Sequence, residues 1–287
     1  MQKETEAYSL GILAVAAFAM TLPATKLLTD SLSAFQIGIF RCLLAAFAAV
    51  PLLLVLRVTM PNKAQLKQLF KMSVGIIYGF PILTAFGMQY LPASHGSVIL
   101  ATLPIITAIA GSLITKTRPS NTFWCICVTG LFVVSGFSVY QNGLNGVYWG
   151  DLALLAAAFF AGYGYACGGA LSQELPGWQV MCWALVINLP ILLCLGLLLY
   201  DHSQIVALDP TQINALLFLA FVNSLLGFFA WNKALALGGI QKVSQLQLLQ
   251  PFMTIFFAAI FLGEHIDFYT YMSCSIVIVL VWAAKRA

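Results

Sequence analysis

The chain has 287 residues, of which 61% are hydrophobic and only 8% charged, and its mean hydropathy is +0.96. This composition excludes an ordinary soluble globular domain and assigns the chain to the integral membrane proteins. The net charge of +4 does not point to nucleic acid, because the cations stand at the ends of apolar runs rather than on one patch. All seven cysteines sit inside apolar runs, which argues against a disulfide framework. Cys125 and Cys127 are two apart and so point to different sides of a helix, which argues against a metal site.

In chain order, a short polar tail precedes a first apolar run, Tyr8 to Leu28, with Pro23 and Lys26 near its far end. A second run, about Ala34 to Leu56, carries Arg41 well inside it, an unusual depth for a cation. Between Arg57 and Lys71, Leu66, Leu69 and Phe70 alternate with Lys63, Lys67 and Lys71, a pattern that predicts a short amphipathic helix on the membrane surface. Helix three follows from Met72 to Tyr90 with Gly75 and Gly79 in GxxxG spacing. Helices four and five cover about His95 to Thr115 and Thr122 to Tyr140. The polar loop Gln141 to Gly146 is the expected boundary between two halves, 1–143 and 144–287.

In the second half, helix six spans about Tyr148 to Ala170 with a further GxxxG at Gly164 and Gly168, and helix seven spans Trp178 to Tyr200 with Asn188 and Pro190. Helices eight, nine and ten cover about Thr211 to Leu235, Gln241 to Glu264 and Phe268 to Ala284. Helix nine is a faint copy of Ser94 to Thr117. Ser97 and Ser244 each precede a proline (Pro104, Pro251) by seven residues, and Thr107 and Thr254 each follow it by three. The offset of 147 (244 − 97) places the copies at equivalent points of the two halves, as an internal duplication would.

The cations order the topology. With a cytoplasmic N-terminus, alternation puts Lys3, Arg57, Lys63, Lys67, Lys71, Lys116, Arg118, Lys233, Lys242, Lys285 and Arg286 inside, eleven of thirteen. Asp30, Asp151, Asp201, Asp209, Glu264 and Asp267 all fall on the other side. The expected fold is therefore an all-α membrane protein of ten transmembrane helices, built as two inverted five-helix repeats with both termini cytoplasmic. Carriers of this kind bind substrate near the midplane, between the repeats.

At this point the chain resembles the EamA-like branch of the drug/metabolite transporter superfamily over its whole length. The resemblance rests on Lys26, on Arg41 in the stretch FRCLLAA, on the prolines of helices four and nine, and on the ending LGE at Leu262 to Glu264. The first repeat departs from it, with Lys116 and Thr117 where the second has Gly263 and Glu264. The resemblance implies export or exchange of small organic metabolites, often amino acids, across a bacterial inner membrane.

The candidate substrate contacts are Gln247, Gln250, Thr254, Arg41, Tyr78, Tyr163 and Asn223, with Pro104 and Pro251 as helix breaks. Gln247, Gln250 and Thr254 lie within about 60° of one another around helix nine, so they face either a wet cavity or a neighbouring helix. Gln241, Ser244 and Gln245 form a second group at the helix's cytoplasmic end, where water solvates them. Arg41 can meet a substrate carboxylate or stitch helices through carbonyl groups. Tyr78, Tyr163, Tyr165, Asn188, Asn223 and Asn232 can equally serve contacts between helices.

No HExxH, G-x-S-x-G or nucleotide-binding glycine loop occurs, and His95, His202 and His265 are scattered, so no enzyme activity, cofactor or metal is expected. The expected partners are a small-molecule substrate and the bilayer, with no nucleic acid, for a monomer or homodimer. A multidrug cation exporter and a non-transporting membrane scaffold are the alternatives. The first would want a buried carboxylate, whereas the deep charge here is an arginine.

Overall fold

The computed structural model describes residues 2–103, 105–107, 109–110, 120–122, 125, 128–130, 132–133, 136, 140, 149–238 and 243–286. Their regular elements are all helices: α1 (Gln2–Ala19), α2 (Thr21–Lys26), α3 (Ala34–Val55), α4 (Lys63–Ser73), a π-helical stretch (Val74–Gly79), α5 (Phe80–Tyr90) and α6 (Ala93–Leu100). After a gap follow α7 (Trp149–Leu171), α8 (Gly177–Leu198), α9 (His202–Val206), α10 (Pro210–Leu217), a second π-helical stretch (Phe218–Gly227) and α11 (Phe228–Gly238). A 3₁₀ turn (Ser244–Leu249), α12 (Gln250–Leu262) and α13 (Phe268–Arg286) complete them. Six continuous stretches are long and apolar enough to cross a bilayer: Lys3–Lys26, Ala34–Val55, Lys63–Tyr90, Trp149–Leu171, Gly177–Leu198 and Pro210–Gly238. Shorter apolar helices cover Ala93–Thr107, Leu246–Leu262 and Phe268–Leu280. Most of the expected helix five, the connection 141–146, and Pro104, Lys116, Thr117, Arg118, Gln241 and Lys242 lie outside the described residues, as do the side chains of Ser244 and Gln245.

The expected surface helix between Arg57 and Lys71 is not a separate element. Asn62 and Gln65 form a reciprocal cap, and the helix they start runs from Lys63 without interruption to Tyr90. Leu69 and Met72 are fully buried against α7 and α8, while Lys63, Lys67 and Lys71 stay exposed. The amphipathic pattern thus belongs to the half-buried end of a spanning helix, whose apolar stripe has protein rather than lipid to cover it.

The glycines of this span work as their spacing predicts. A β-carbon on Gly75 would collide with the backbone carbonyl of Phe160 and lie 3.1 Å from the Gly164 backbone, and one on Gly164 would meet Ile76. The two GxxxG segments therefore face each other, and two backbones approach with no flexible side chain between them.

Both π-helical stretches lie in the third span of their half. Val74–Gly79 shifted by 147 falls at 221–226, inside Phe218–Gly227. Each also receives a polar side chain from the second helix of the opposite half. Arg41 on α3 reaches Asn223 and Ser224, whereas Asn188 on α8 donates to Ser73 Oγ at 2.8 Å and accepts from the Tyr78 hydroxyl at 3.0 Å.

Polar ties between distant connections fall at two ends of the bundle. At one end Lys233 pairs with Glu6 at 2.7 Å, and Gln65 donates to Glu174 at 3.1 Å. At the other, Gln36 donates to Gln204 at 2.7 Å and Gln212 to Ser31 at 2.8 Å. Each tie joins residues that strand-by-strand alternation of the helices puts at the same end.

Replacing Gly75 by alanine should lower stability by about 1–3 kcal/mol, because neither backbone can yield. Gly130→Ala, whose β-carbon would lie 3.8 Å from Ile105 Cδ1 as its nearest contact among the described residues, should change it far less. Thermal unfolding of the purified proteins in detergent measures both.

Candidate functional site

Pro23 decides where the first helix fails. It offers no N–H to the carbonyl four residues back, and its ring crowds that group. The carbonyl is that of Ala19, where α1 ends before α2 resumes at Thr21. Side chains from the second half of the chain take up the acceptors around the break. Thr254 Oγ1 on α12 donates to Ala19 O at 2.9 Å. Asn223 Nδ2 donates to Thr21 Oγ1 at 2.6 Å and to Ala17 O at 3.3 Å.

Asn223 is the link from this break to the buried arginine. Its amide oxygen accepts from Arg41 Nη2, and Arg41 Nε donates to Ser224 Oγ at 3.0 Å. Ser224 in turn donates to Leu219 O, five residues back, at 2.8 Å. Arg41 is only 2% exposed, and among the described residues it forms no ion pair. Its Nη1 has no hydrogen-bond partner, so one strong donor of a buried cation is left for something else.

On the other side of the break lies a small void lined by Leu22, Ser97, Leu100, Gln250, Pro251 and Thr254, with about 10 Å³ open to the centre of a water molecule. That is room for about one water. The 3₁₀ turn ahead of Pro251 leads into this wall. Among the described residues, Gln250 is 8% exposed with Oε1 unpartnered, and Gln247 is 2% exposed with neither end of its amide bonded. Buried amides left this way are costly, and such groups commonly mark a ligand or solvent position.

The residues singled out from the sequence are thus distributed unequally. Gln250, Pro251 and Thr254 line the void, Gln247 is buried one turn ahead, and Thr254 is also bonded to helix one. Arg41 and Asn223 sit across the break, with both ends of the Asn223 amide occupied. Tyr78 uses its hydroxyl on Asn188, and Tyr163 is 37% exposed on the outer surface and lines no part of the void. Pro104 lies outside the described residues. Two participants, Thr21 and Ser224, are not among the expected substrate contacts. Thr21 and Ser224 read as ordinary small polar residues of apolar helices, and only their positions beside Pro23 and Asn223 hinted at them.

Comparisons with known proteins agree with this architecture. The EamA-like transporter family model matches twice, at residues 5–139 and 148–284. An uncharacterized transporter of Bacillus subtilis, YdeK, is 36% identical over all of this chain and 99% of its own. A protein of Salmonella typhimurium named as a probable amino-acid metabolite efflux pump is 32% identical over 62% of each chain. One crystal structure superposes with a TM-score of 0.66 over 97% of both chains at 13% identity, a likeness of fold. The chain belongs to the EamA-like transporter family and is a multi-pass membrane protein.

Proposed function

We propose that this transporter exports or exchanges small organic metabolites, amino-acid-like and neutral, zwitterionic or anionic, by alternating access in a bacterial inner membrane. The observation that carries the reading is a set of buried amide atoms unpartnered among the described residues, both ends of Gln247 and Oε1 of Gln250, beside a small void at the break of helix one. They are acceptors and donors without protein partners at the depth where inverted-repeat carriers hold their cargo. The name of the Salmonella relative supports the amino-acid-like class. The two family matches support division into halves 1–143 and 144–287, and the segregation of cations supports an inverted ten-helix arrangement with both termini cytoplasmic. The free Nη1 of Arg41 supports a substrate carboxylate as its target.

Export and counterflow of radiolabelled amino acids by the protein reconstituted in vesicles, with and without a pH gradient, tests the substrate class. Within that assay Gln247→Leu and Gln250→Leu should raise KM several-fold or change substrate preference. Their thermal stability should hold or rise, since each removes an unsatisfied buried amide, a group that costs about 1–3 kcal/mol. Thr254→Val should instead lose some stability, because it strips Ala19 O of its partner. If the glutamine variants lose stability while the surviving fraction transports normally, the amides are structural.

Arg41→Lys should weaken transport through lost bidentate geometry, and Arg41→Leu should abolish it. Normal transport by folded Arg41→Leu removes the residue from the site. Single cysteines placed at Lys3 and Lys285 should resist impermeant labels applied outside intact cells. Labelling of either one overturns the proposed topology.

A further inference from the structure

At the end of the bundle opposite Glu6, the start of α6 is held from two directions. Gly263 ends α12 with a left-handed φ of 66°, and the next residue, Glu264, turns its carboxylate onto the α6 N-terminus. Oε1 accepts from Ala93 N at 2.7 Å, while Oε2 accepts from Ser94 N at 2.9 Å and from Ser94 Oγ at 2.5 Å. The partners are 170 residues or more apart in sequence, so this is a tie between halves and not a local turn. One residue on, His95 Nε2 lies 2.8 Å from Asp151 Oδ1 at the start of α7, in a buried pair. The same short helix forms part of the void wall through Ser97 and Leu100, and Ser97 Oγ donates to Ser94 O at 2.6 Å. The void and the carboxylate tie are therefore less than two turns apart on one element.

We infer that Glu264 is the latch of the gate at this end, and that a proton on its carboxylate releases α6 and opens the void to that side. The chemistry favours the anion in the closed state. An ionised carboxylate accepts all three bonds and lies against the positive end of a helix. A protonated one carries its hydrogen on one of the two oxygens, has fewer acceptor positions and no charge for the helix to attract. Glu264 is half-buried, so water at this end can deliver the proton, whereas His95 and Asp151 are deeper. The other titratable groups on the elements packed here have their own engagements: His95 with Asp151, Lys26 on α2 with Met88 O at 2.8 Å, and Asp267 with Thr270 N at 2.8 Å. His265 is exposed beside Glu264 on the same connection. Glu264 acts by positioning α6, and no contact with the transported molecule is required of it.

The inference rests on the alternating-access reading only for the existence of a gate, and its test uses no substrate, so a wrong substrate class leaves it standing. In a variant with the seven native cysteines replaced, Ser97→Cys puts a thiol in the void wall. Labelling by a maleimide in lipid nanodiscs, divided by the rate for the unfolded protein at the same pH, should be slow at neutral pH. It should rise at least threefold between about pH 7.5 and about pH 4.5, the side on which carboxylates gain protons. With Glu264→Gln added, labelling should be fast at neutral pH and flat with pH. Ser94→Ala, which removes one of the three bonds, should fall between. A protein retaining only Cys182, buried on α8, should not change in any of these backgrounds. Equal labelling of parent and Glu264→Gln, a flat profile for the parent, or a parallel rise at Cys182 each overturns the latch. Should Glu264→Gln fail to fold, the parent profile and Ser94→Ala decide it alone.

Discussion

The break in the first helix at Pro23 is what the interior is organised around. A proline near the end of a span frees a carbonyl four residues deeper, and in hydrocarbon such a group must be met by protein. Here two helices of the other half meet it, with Thr254 on Ala19 O and Asn223 on Ala17 O and Thr21. Those bonds fix the rotation of α12 and of the second π-helical stretch about their own axes. In doing so they turn Gln250 toward the void on one side and Arg41's partner toward the arginine on the other. A backbone defect thus becomes the reference point for both polar clusters.

The same economy governs the two π-helical stretches. Each meets a polar side chain inserted from the opposite half: Arg41 donates to Ser224, which itself donates to Leu219 O, and Asn188 donates to Ser73, which itself donates to Leu69 O. Asn188 is fully satisfied by Ser73, Tyr78 and the Ala184 carbonyl, and so behaves as a fixed pin. Arg41 occupies the corresponding place but keeps one donor unused. Two similar joints therefore differ in their unspent hydrogen-bonding capacity.

Much of this was legible in the sequence because hydrocarbon makes polar residues conspicuous. Arg41, Gln247, Gln250 and Asn223 stood out for that reason alone, and the glycine spacing at 75, 79, 164 and 168 announced a close contact. What was not legible depended on partners distant along the chain. Tyr78 and Asn188 were both visible as candidates, but nothing in linear order said that each would satisfy the other. The helix from Lys63 looked superficial because its lysines were read against lipid, whereas its leucines are covered by α7 and α8. Glu264 looked like a helix-end marker, since its role depends on where residue 94 lies in space.

Among the described residues, the most extensive helix pairings, α3 with α8, α1 with α11 and α5 with α7, each join a helix from before residue 143 to one from after it. The glycine seam between Gly75 and Gly164 is one such joint, and its backbone-to-backbone contact leaves no slack. A half of this chain on its own would therefore present its smallest residues and its buried polar groups to lipid, with nothing of matching shape to cover them. Each half is in this sense the missing wall of the other, and cutting the chain between them would leave two pieces with nothing to fold against.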